Sequence, residues 1–205
     1  MSDTTNARIG SRFGAGEITM LGRLCDELAG ASRSMRQKAA HELAERVKID
    51  PASVAAESDK VIPALIDALF RPEAQTRWES LDALSALVDA CPDAVLEAYE
   101  GAEASLFDEG SSTVHVAAFR LLAKLGAHAP ELSDRVWPLL DEAIQCFHGD
   151  MGYRDMLATL LEFVRGNISE DTKHALAARV AFDAENGRGY VKVRSAEIIA
   201  AVKGE

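Results

Sequence analysis

Residues Val61 to Leu69 read VIPALIDAL, and this stretch decides the fold class. Its large apolar side chains recur at i, i+3, i+4 and i+7, as they do on one face of an α-helix. These residues are Ile62, Leu65, Ile66 and Leu69. Pro63 is tolerated if it lies in the first helical turn, where backbone N–H groups have no acceptor within the helix. The stretch therefore predicts an amphipathic helix that begins shortly before Pro63.

The same arrangement occurs elsewhere in the chain. Val136 to Leu140 reads VWPLL, 75 residues downstream of the first copy. An apolar set also lies 41 residues upstream of Ile62, Leu65, Ile66 and Leu69, at Leu21, Leu24, Cys25 and Leu28. Helices of one type that recur at a regular spacing indicate a repeat protein.

A second type of helix alternates with the first and carries a column of mostly cationic residues, at separations of 41, 38, 39 and 38. The column consists of Arg36, Arg77, His115, Arg154 and Lys192. Seven residues further on lies an aliphatic column of Leu43, Leu84, Leu122, Leu161 and Ile199. Five copies of these columns predict five helix pairs of about 40 residues each.

Ten helices follow from these columns and from the turn residues between them. We predict them at 17–29, 34–48, 59–70, 74–90, 93–107, 112–127, 132–147, 152–165, 170–184 and 190–203. The breaks are so short that consecutive helices must be antiparallel.

These residues resemble HEAT repeats. The resemblance covers residues 17 to 203 and rests on VIPALIDALF and VWPLLDEAI for first helices, and on MRQKAAHEL, VHVAAFRLL and VKVRSAEII for second helices. It implies an all-α fold, a right-handed α-solenoid of about five HEAT-like helix pairs in one domain over residues 17–205. Residues 1–16 contain little apolar surface, so we expect a flexible tail there. The fifth pair departs from the pattern, because its first helix has no proline.

Composition narrows the function classes. The chain of 205 residues has a net charge of −11, which repels polyphosphates and anionic membranes. No apolar run approaches the length of a membrane span, and the first residues do not resemble a secretory signal, so we expect a cytoplasmic protein. Cys25, Cys91 and Cys146 stand far apart and are predicted to be reduced and buried. Residues 92–110 contain six acids and no base, which suits either a solvated helix face or a docking site for a basic partner.

The cationic column lies on the same helical half as the aliphatic column. We therefore predict that its side chains point between repeats, where an arginine can donate to loop carbonyls and carboxylates. The opposite half of each second helix should line the concave face of the solenoid.

We expect partner-binding residues on that concave face. They are Trp78, Asp82, Arg120, Lys124, Asp155, Thr159 and His41. Trp78 is the most informative of them, because aromatic residues concentrate at interface hot spots; packing against the adjacent repeat is the equal alternative.

Metal and catalytic signatures are sparse. HEAT-repeat di-iron hydroxylases use a His-Glu pair in several repeats, whereas this chain has only His41-Glu42. His148 and Asp150 share a loop but lack a third ligand. We therefore predict no metal, no cofactor and no catalytic residue.

The resulting hypothesis is a non-enzymatic protein-interaction scaffold that binds a protein or peptide partner on its concave face, and neither nucleic acid nor membrane. One alternative is a HEAT-like DNA glycosylase, suggested by Trp78, Asp82 and Trp137 but opposed by the acidic charge. Another is an accessory subunit for a cofactor-attachment or assembly enzyme. The oligomeric state stays open.

Overall fold

A computed structural model of the chain describes residues 19–108 and 110–204. Twelve helices and no strands lie within these residues. The helices are α1 Met20–Ala29, α2 Arg33–Ile49, α3 Pro51–Ala55, α4 Ser58–Ala68, α5 Ala74–Leu87, α6 Pro92–Leu96, α7 Tyr99–Leu106, α8 Ser112–Gly126, α9 Pro130–Cys146, α10 Tyr153–Arg165, α11 Glu170–Asn186 and α12 Gly189–Lys203. The predicted all-α repeat architecture is confirmed. The predicted tail at residues 1–16 lies outside the described residues.

The second helices of the five pairs form one continuous layer. Helix α2 contacts α5, α5 contacts α8, α8 contacts α10 and α10 contacts α12. First helices cover this layer on the other side, and among them α1 contacts α4 and α9 contacts α11. The aliphatic column lies in the core between the layers, with Leu43, Leu84 and Leu122 fully buried. Each pair thus buries its apolar faces on its neighbours, as expected for a repeat stack.

The observed helices differ from the sequence prediction at two places. Helix α3 lies in the gap between the predicted helices 34–48 and 59–70, although Asp50 Oδ1 accepts a hydrogen bond from the Ser53 N–H and Pro51 occupies the first turn. An Asp-Pro pair is a recognised helix start, so a local signal existed. The predicted helix 93–107 is divided into α6 and α7 by a turn at Glu97 and Ala98.

Pro63 does not lie in the first turn, contrary to the sequence prediction. It is the sixth residue of α4, and Pro138 likewise lies inside a helix, near the middle of α9. Both prolines are exposed. The prediction of buried cysteines was also wrong for Cys146, which is exposed at the end of α9, whereas Cys25 and Cys91 are half-buried.

No described helix combines the length and the apolar character that a transmembrane span requires.

Candidate binding groove

The exposed face of the second-helix layer contains two adjoining hollows, which together we call the second-helix groove. The larger hollow has a volume of about 660 Å³ and is lined by α8, α10 and α12. The smaller, of about 280 Å³, lies between α5, α8 and the start of α10. Arg120 and Asp155 line both hollows, so the two form one continuous surface.

Six of the seven predicted binding residues line this groove. Trp78 and Asp82 line the smaller hollow, Lys124 and Thr159 the larger one, and Arg120 and Asp155 both. His41 lies elsewhere, because its Nδ1 is 3.0 Å from Glu79 Oε1 at the contact between α2 and α5. The helical phase therefore brought most of the predicted set to one surface, and His41 instead joins two repeats.

The cations of the groove are already paired with carboxylates. Arg120 Nη1 lies 2.6 Å from Asp82 Oδ1, which joins α8 to α5. Lys124 Nζ lies 2.8 Å from Asp89 Oδ2. Arg194, a groove residue outside the predicted binding set, pairs with Glu197 at 2.9 Å. These pairs neutralise the positive charge that an anionic ligand would require.

Asp155 differs from the other charged groove residues. Its carboxylate is exposed and has no ion pair or hydrogen bond among the described residues, although the Thr159 hydroxyl donates to its backbone oxygen at 2.9 Å. Glu162, about two turns further along α10, pairs with Arg165 at 3.1 Å. A free carboxylate thus lies where the two hollows meet.

Trp78 lies between the core and the groove. Its side chain is half-buried and packs against the core, while part of it lines the smaller hollow. Met151, which the sequence prediction missed, lies on the other side of that hollow and is 94% exposed. It belongs to the loop before α10, and no periodic pattern marks a loop residue of this kind.

The cationic column acts structurally in the first two repeats. Arg36 is buried and donates to the carbonyls of Gly30 and Ala31, both at 2.8 Å, and to both carboxylate oxygens of Glu73. This hydrogen bonding holds the pKa of Glu73 below its usual value. Arg77 likewise donates to Asp108 in the loop before α8 and lowers the pKa of that carboxyl.

The column changes character further along the chain. The His115 ring stacks on Phe147 with 4.6 Å between centroids, and burial lowers the pKa of His115. Arg154 and Lys192 are exposed, whereas Arg36 is buried. Both exposed residues still make contacts of the predicted kind, one to the next repeat and one to a carbonyl at the end of α11. The Arg154 guanidinium lies over the Tyr190 ring at 4.4 Å, and Lys192 donates to the Glu185 carbonyl at 3.0 Å.

The loop that holds His148 and Asp150 makes a structural contact. His148 Nε2 lies 3.1 Å from Oδ1 of the buried Asp183, and the Tyr153 hydroxyl donates to Asp183 Oδ2 at 2.6 Å. Burial and this hydrogen bond raise the pKa of Tyr153. His148 therefore ties the loop to α11.

Comparisons with known proteins identify the fold. No protein-family model matches the chain, and no curated protein does so by sequence. Among solved structures, a designed armadillo repeat protein in complex with the peptide (KR)4 has a TM-score of 0.68 at 14% identity, over 89% of this chain and 81% of that one. Another designed armadillo repeat protein has a TM-score of 0.67 at 14% identity, over 88% and 81%.

A natural protein shows the same likeness. The archaeal HEAT-like repeats protein from Thermococcus onnurineus NA1 has a TM-score of 0.55 at 12% identity, over 90% of this chain and 87% of that one. Identities this low carry the fold and nothing beyond it. Together with the layered helix pairs, they show that this chain is a HEAT/armadillo-like α-solenoid.

Proposed function

We propose that this protein is a non-enzymatic interaction scaffold whose second-helix groove binds a segment of a partner polypeptide. The observation that carries the proposal is the free carboxylate of Asp155, which lies where the two hollows meet, among groove cations that are already paired. An exposed carboxylate near a tryptophan ring suits a lysine or arginine side chain. Asp155 would form an ion pair with this side chain, and the ring of Trp78 would contact it.

The shape of the groove supports an extended ligand. It spans α5, α8, α10 and α12 and offers apolar surface from Trp78 and Met151 beside polar groups that can fix an orientation. One structural neighbour is a designed armadillo repeat protein in complex with the peptide (KR)4. That protein shares only the fold with this chain, but its ligand has the basic chemistry that Asp155 would select.

The glycosylase alternative finds less support. A DNA-binding groove needs cations that are free to contact phosphates, whereas Arg120, Lys124 and Arg194 each hold a carboxylate. Trp137, which suggested that alternative, lies on α9 in the first-helix layer and lines neither hollow. An accessory role for another enzyme remains compatible with the scaffold proposal, because such a subunit would also bind a polypeptide. The three free cysteines suit a reducing compartment, so we propose a cytoplasmic location.

The proposal can be tested with a displayed library of random linear peptides. Peptides selected on the wild-type protein should be enriched in Lys and Arg, and Asp155→Lys should weaken them by about tenfold or more, as expected for a charge pair turned into a repulsion. Because Asp155 is exposed, this variant should fold normally. Trp78→Ala should also weaken binding of the selected peptides, and this result counts if the melting curve of the variant matches that of wild type.

A matched control is Glu142→Lys, which makes the same charge change at an exposed position on α9, away from the groove. Selected peptides should bind this variant as they bind wild type. If Asp155→Lys and Glu142→Lys weaken the peptides equally, or neither does, the assignment of binding to the groove is wrong.

A further inference from the structure

A second surface lies on the first-helix side of the molecule, at α7. Four residues of this helix region are exposed at i, i+3, i+4 and i+7 and therefore form one stripe. They are Glu100, Glu103, Ala104 and Phe107. The opposite side of α7 is buried in the repeat stack through Ala102 and Leu106. The stripe is thus an outward face of a packed helix, on the side away from the second-helix groove.

Two aromatic side chains give this face an apolar element. Phe70, at the end of α4, is 68% exposed. Its ring lies against α7, because a methyl group added to Gly101 would be only 3.7 Å from Phe70 Cζ. Phe107 is 36% exposed and stacks on Phe147 with 6.4 Å between ring centroids. Gly101 allows this close approach, since a methyl group there would also lie 2.8 Å from Leu69 Cδ1.

The charged side chains of the segment around α7 are all carboxylates, and the guanidinium of Arg135 on α9 lies over the Tyr99 ring at 3.8 Å. Glu97, Glu100 and Glu103 are exposed, and none of them forms an ion pair with the residues that the structure describes. Residues 92–110 contain no lysine or arginine. The groove residues Asp82 and Asp89, by contrast, are neutralised by cations from the next repeat. We call Phe70, Phe107 and these three glutamates the α7 patch.

We propose that the α7 patch is a docking surface for a cationic amphipathic segment of another protein. Such a segment would place an aromatic or aliphatic side chain on Phe70 and Phe107, and lysine or arginine side chains beside the glutamates. Charge complementarity selects this occupant. A second copy of this chain is disfavoured, because each molecule carries a net charge of −11. This surface is separate from the second-helix groove, so the proposal does not depend on the function proposed for the groove.

The test uses the full-length protein and a labelled synthetic helix-forming peptide of about fifteen residues, with lysines on one face and leucines on the other. Two matched peptides replace the lysines by glutamates or the leucines by alanines. Fluorescence anisotropy at physiological salt should show saturable binding of the first peptide alone. The variant Glu100→Lys/Glu103→Lys should weaken it by about fivefold or more, and Phe70→Ala should weaken it by about threefold or more.

Two controls decide the outcome. Glu142→Lys/Glu185→Lys has the same change in net charge at exposed positions on α9 and α11 and should bind the peptide within about twofold of wild type. Because the groove is itself proposed to take basic side chains, Glu100→Lys/Glu103→Lys is also measured in the Asp155→Lys background, where it should weaken the peptide by the same factor as in wild type. Equal weakening by the α9 and α11 variant would mean that only net charge matters and would overturn the proposal. If Asp155→Lys alone abolishes peptide binding, the peptide binds in the groove. If wild type forms dimers that disappear in Glu100→Lys/Glu103→Lys, a second copy of the chain occupies the α7 patch. Either result contradicts the proposal, and so does the absence of peptide binding to wild type.

Discussion

Arg36, near the start of α2, forms a buried two-pronged contact with Glu73, the residue directly before α5. Its Nε lies 3.2 Å from Glu73 Oε2, its Nη2 donates to Oε1, and both residues are buried. The remaining nitrogen, Nη1, donates to the two carbonyls of the turn that precedes α2. One side chain therefore holds the turn of the first repeat and the start of the second helix in the next repeat.

We expect Arg36→Ala to lower the free energy of unfolding by about 3 kcal/mol, because removal of one partner leaves a buried carboxylate without its cation. Urea unfolding followed by circular dichroism would measure this loss. Arg77→Ala should cost less, about 1 to 2 kcal/mol, since Asp108 is more exposed than Glu73 and water can replace the guanidinium.

The control for this prediction is the double variant Arg36→Met/Glu73→Leu. Replacing both charges by apolar side chains removes the unpaired carboxylate, so this variant should be more stable than Arg36→Ala. If Arg36→Ala unfolds at the same urea concentration as wild type, the buried pair does not stabilise the junction between the first two repeats.

The third member of the cationic column predicts a dependence on pH. Burial lowers the pKa of His115 below the usual value of about 6.5, so the unfolded chain binds a proton at this residue before the folded protein does. The contribution of His115 therefore destabilises the fold as pH falls below about 6.5, and the loss is complete below the folded pKa. We expect wild type to lose more stability between about pH 7 and about pH 5 than His115→Phe, which keeps a ring on Phe147.

Chemical unfolding of both proteins at the two pH values measures this difference. The ionisable groups other than His115 are present in both proteins, so their contributions to the pH dependence are shared. These contributions therefore cancel in the comparison. Equal pH dependence of the two proteins would show that His115 has the same pKa in the folded and unfolded chains.

The fold could be predicted well from the sequence because the same spacing of apolar and cationic residues occurs in each repeat. The columns at Arg36 and Leu43 recur four times, and the predicted helix ends lie within about three residues of those observed for most helices. Short helices could not be predicted in this way, because apolar periodicity can be recognised only over several helical turns. Helix α3 has five residues, and the turn at Glu97 and Ala98 contains neither proline nor glycine to mark a break.

The sequence predicted several of the residues that line the groove, but not which of its charged side chains form ion pairs. Helical phase placed Trp78, Asp82 and Arg120 on one surface, but a count of acids and bases does not show which of them are paired. The sequence spacing indicates which acid and base form a pair, since Asp82 and Arg120 are 38 residues apart, close to the length of one repeat. Residues one repeat apart on adjacent second helices face each other, as His41 and Glu79 also do at a separation of 38. Only the structure shows that the carboxylate of Asp155 has no partner among the described residues.

A close contact between α8 and α9 predicts that Gly126 does not tolerate a side chain. A methyl group at Gly126 would lie 2.3 Å from Val136 Cγ2 and 3.0 Å from Phe163 Cε2, both in buried side chains. We expect Gly126→Ala to destabilise the protein by about 1 to 2 kcal/mol, because the overpacking exceeds the gain in helix propensity. Val136→Ala should be less harmful in the Gly126→Ala background than in wild type, and a thermal double-mutant cycle would measure that coupling. Additive effects of the two substitutions would contradict the contact.

The paired cations of the groove predict weak binding of duplex DNA. Arg120, Lys124 and Arg194 are each held by a carboxylate, and the chain has a net charge of −11, so few counterions would be released on contact with phosphates. A fluorescently labelled duplex of about 20 base pairs should show no saturation up to about 10⁻⁴ M protein at physiological salt. The variant Asp82→Asn/Asp89→Asn frees Arg120 and Lys124 and should bind the duplex more tightly than wild type, which shows that the measurement can detect a groove with free cations. A dissociation constant for wild type below about 10⁻⁶ M that weakens steeply with salt would instead favour the glycosylase alternative.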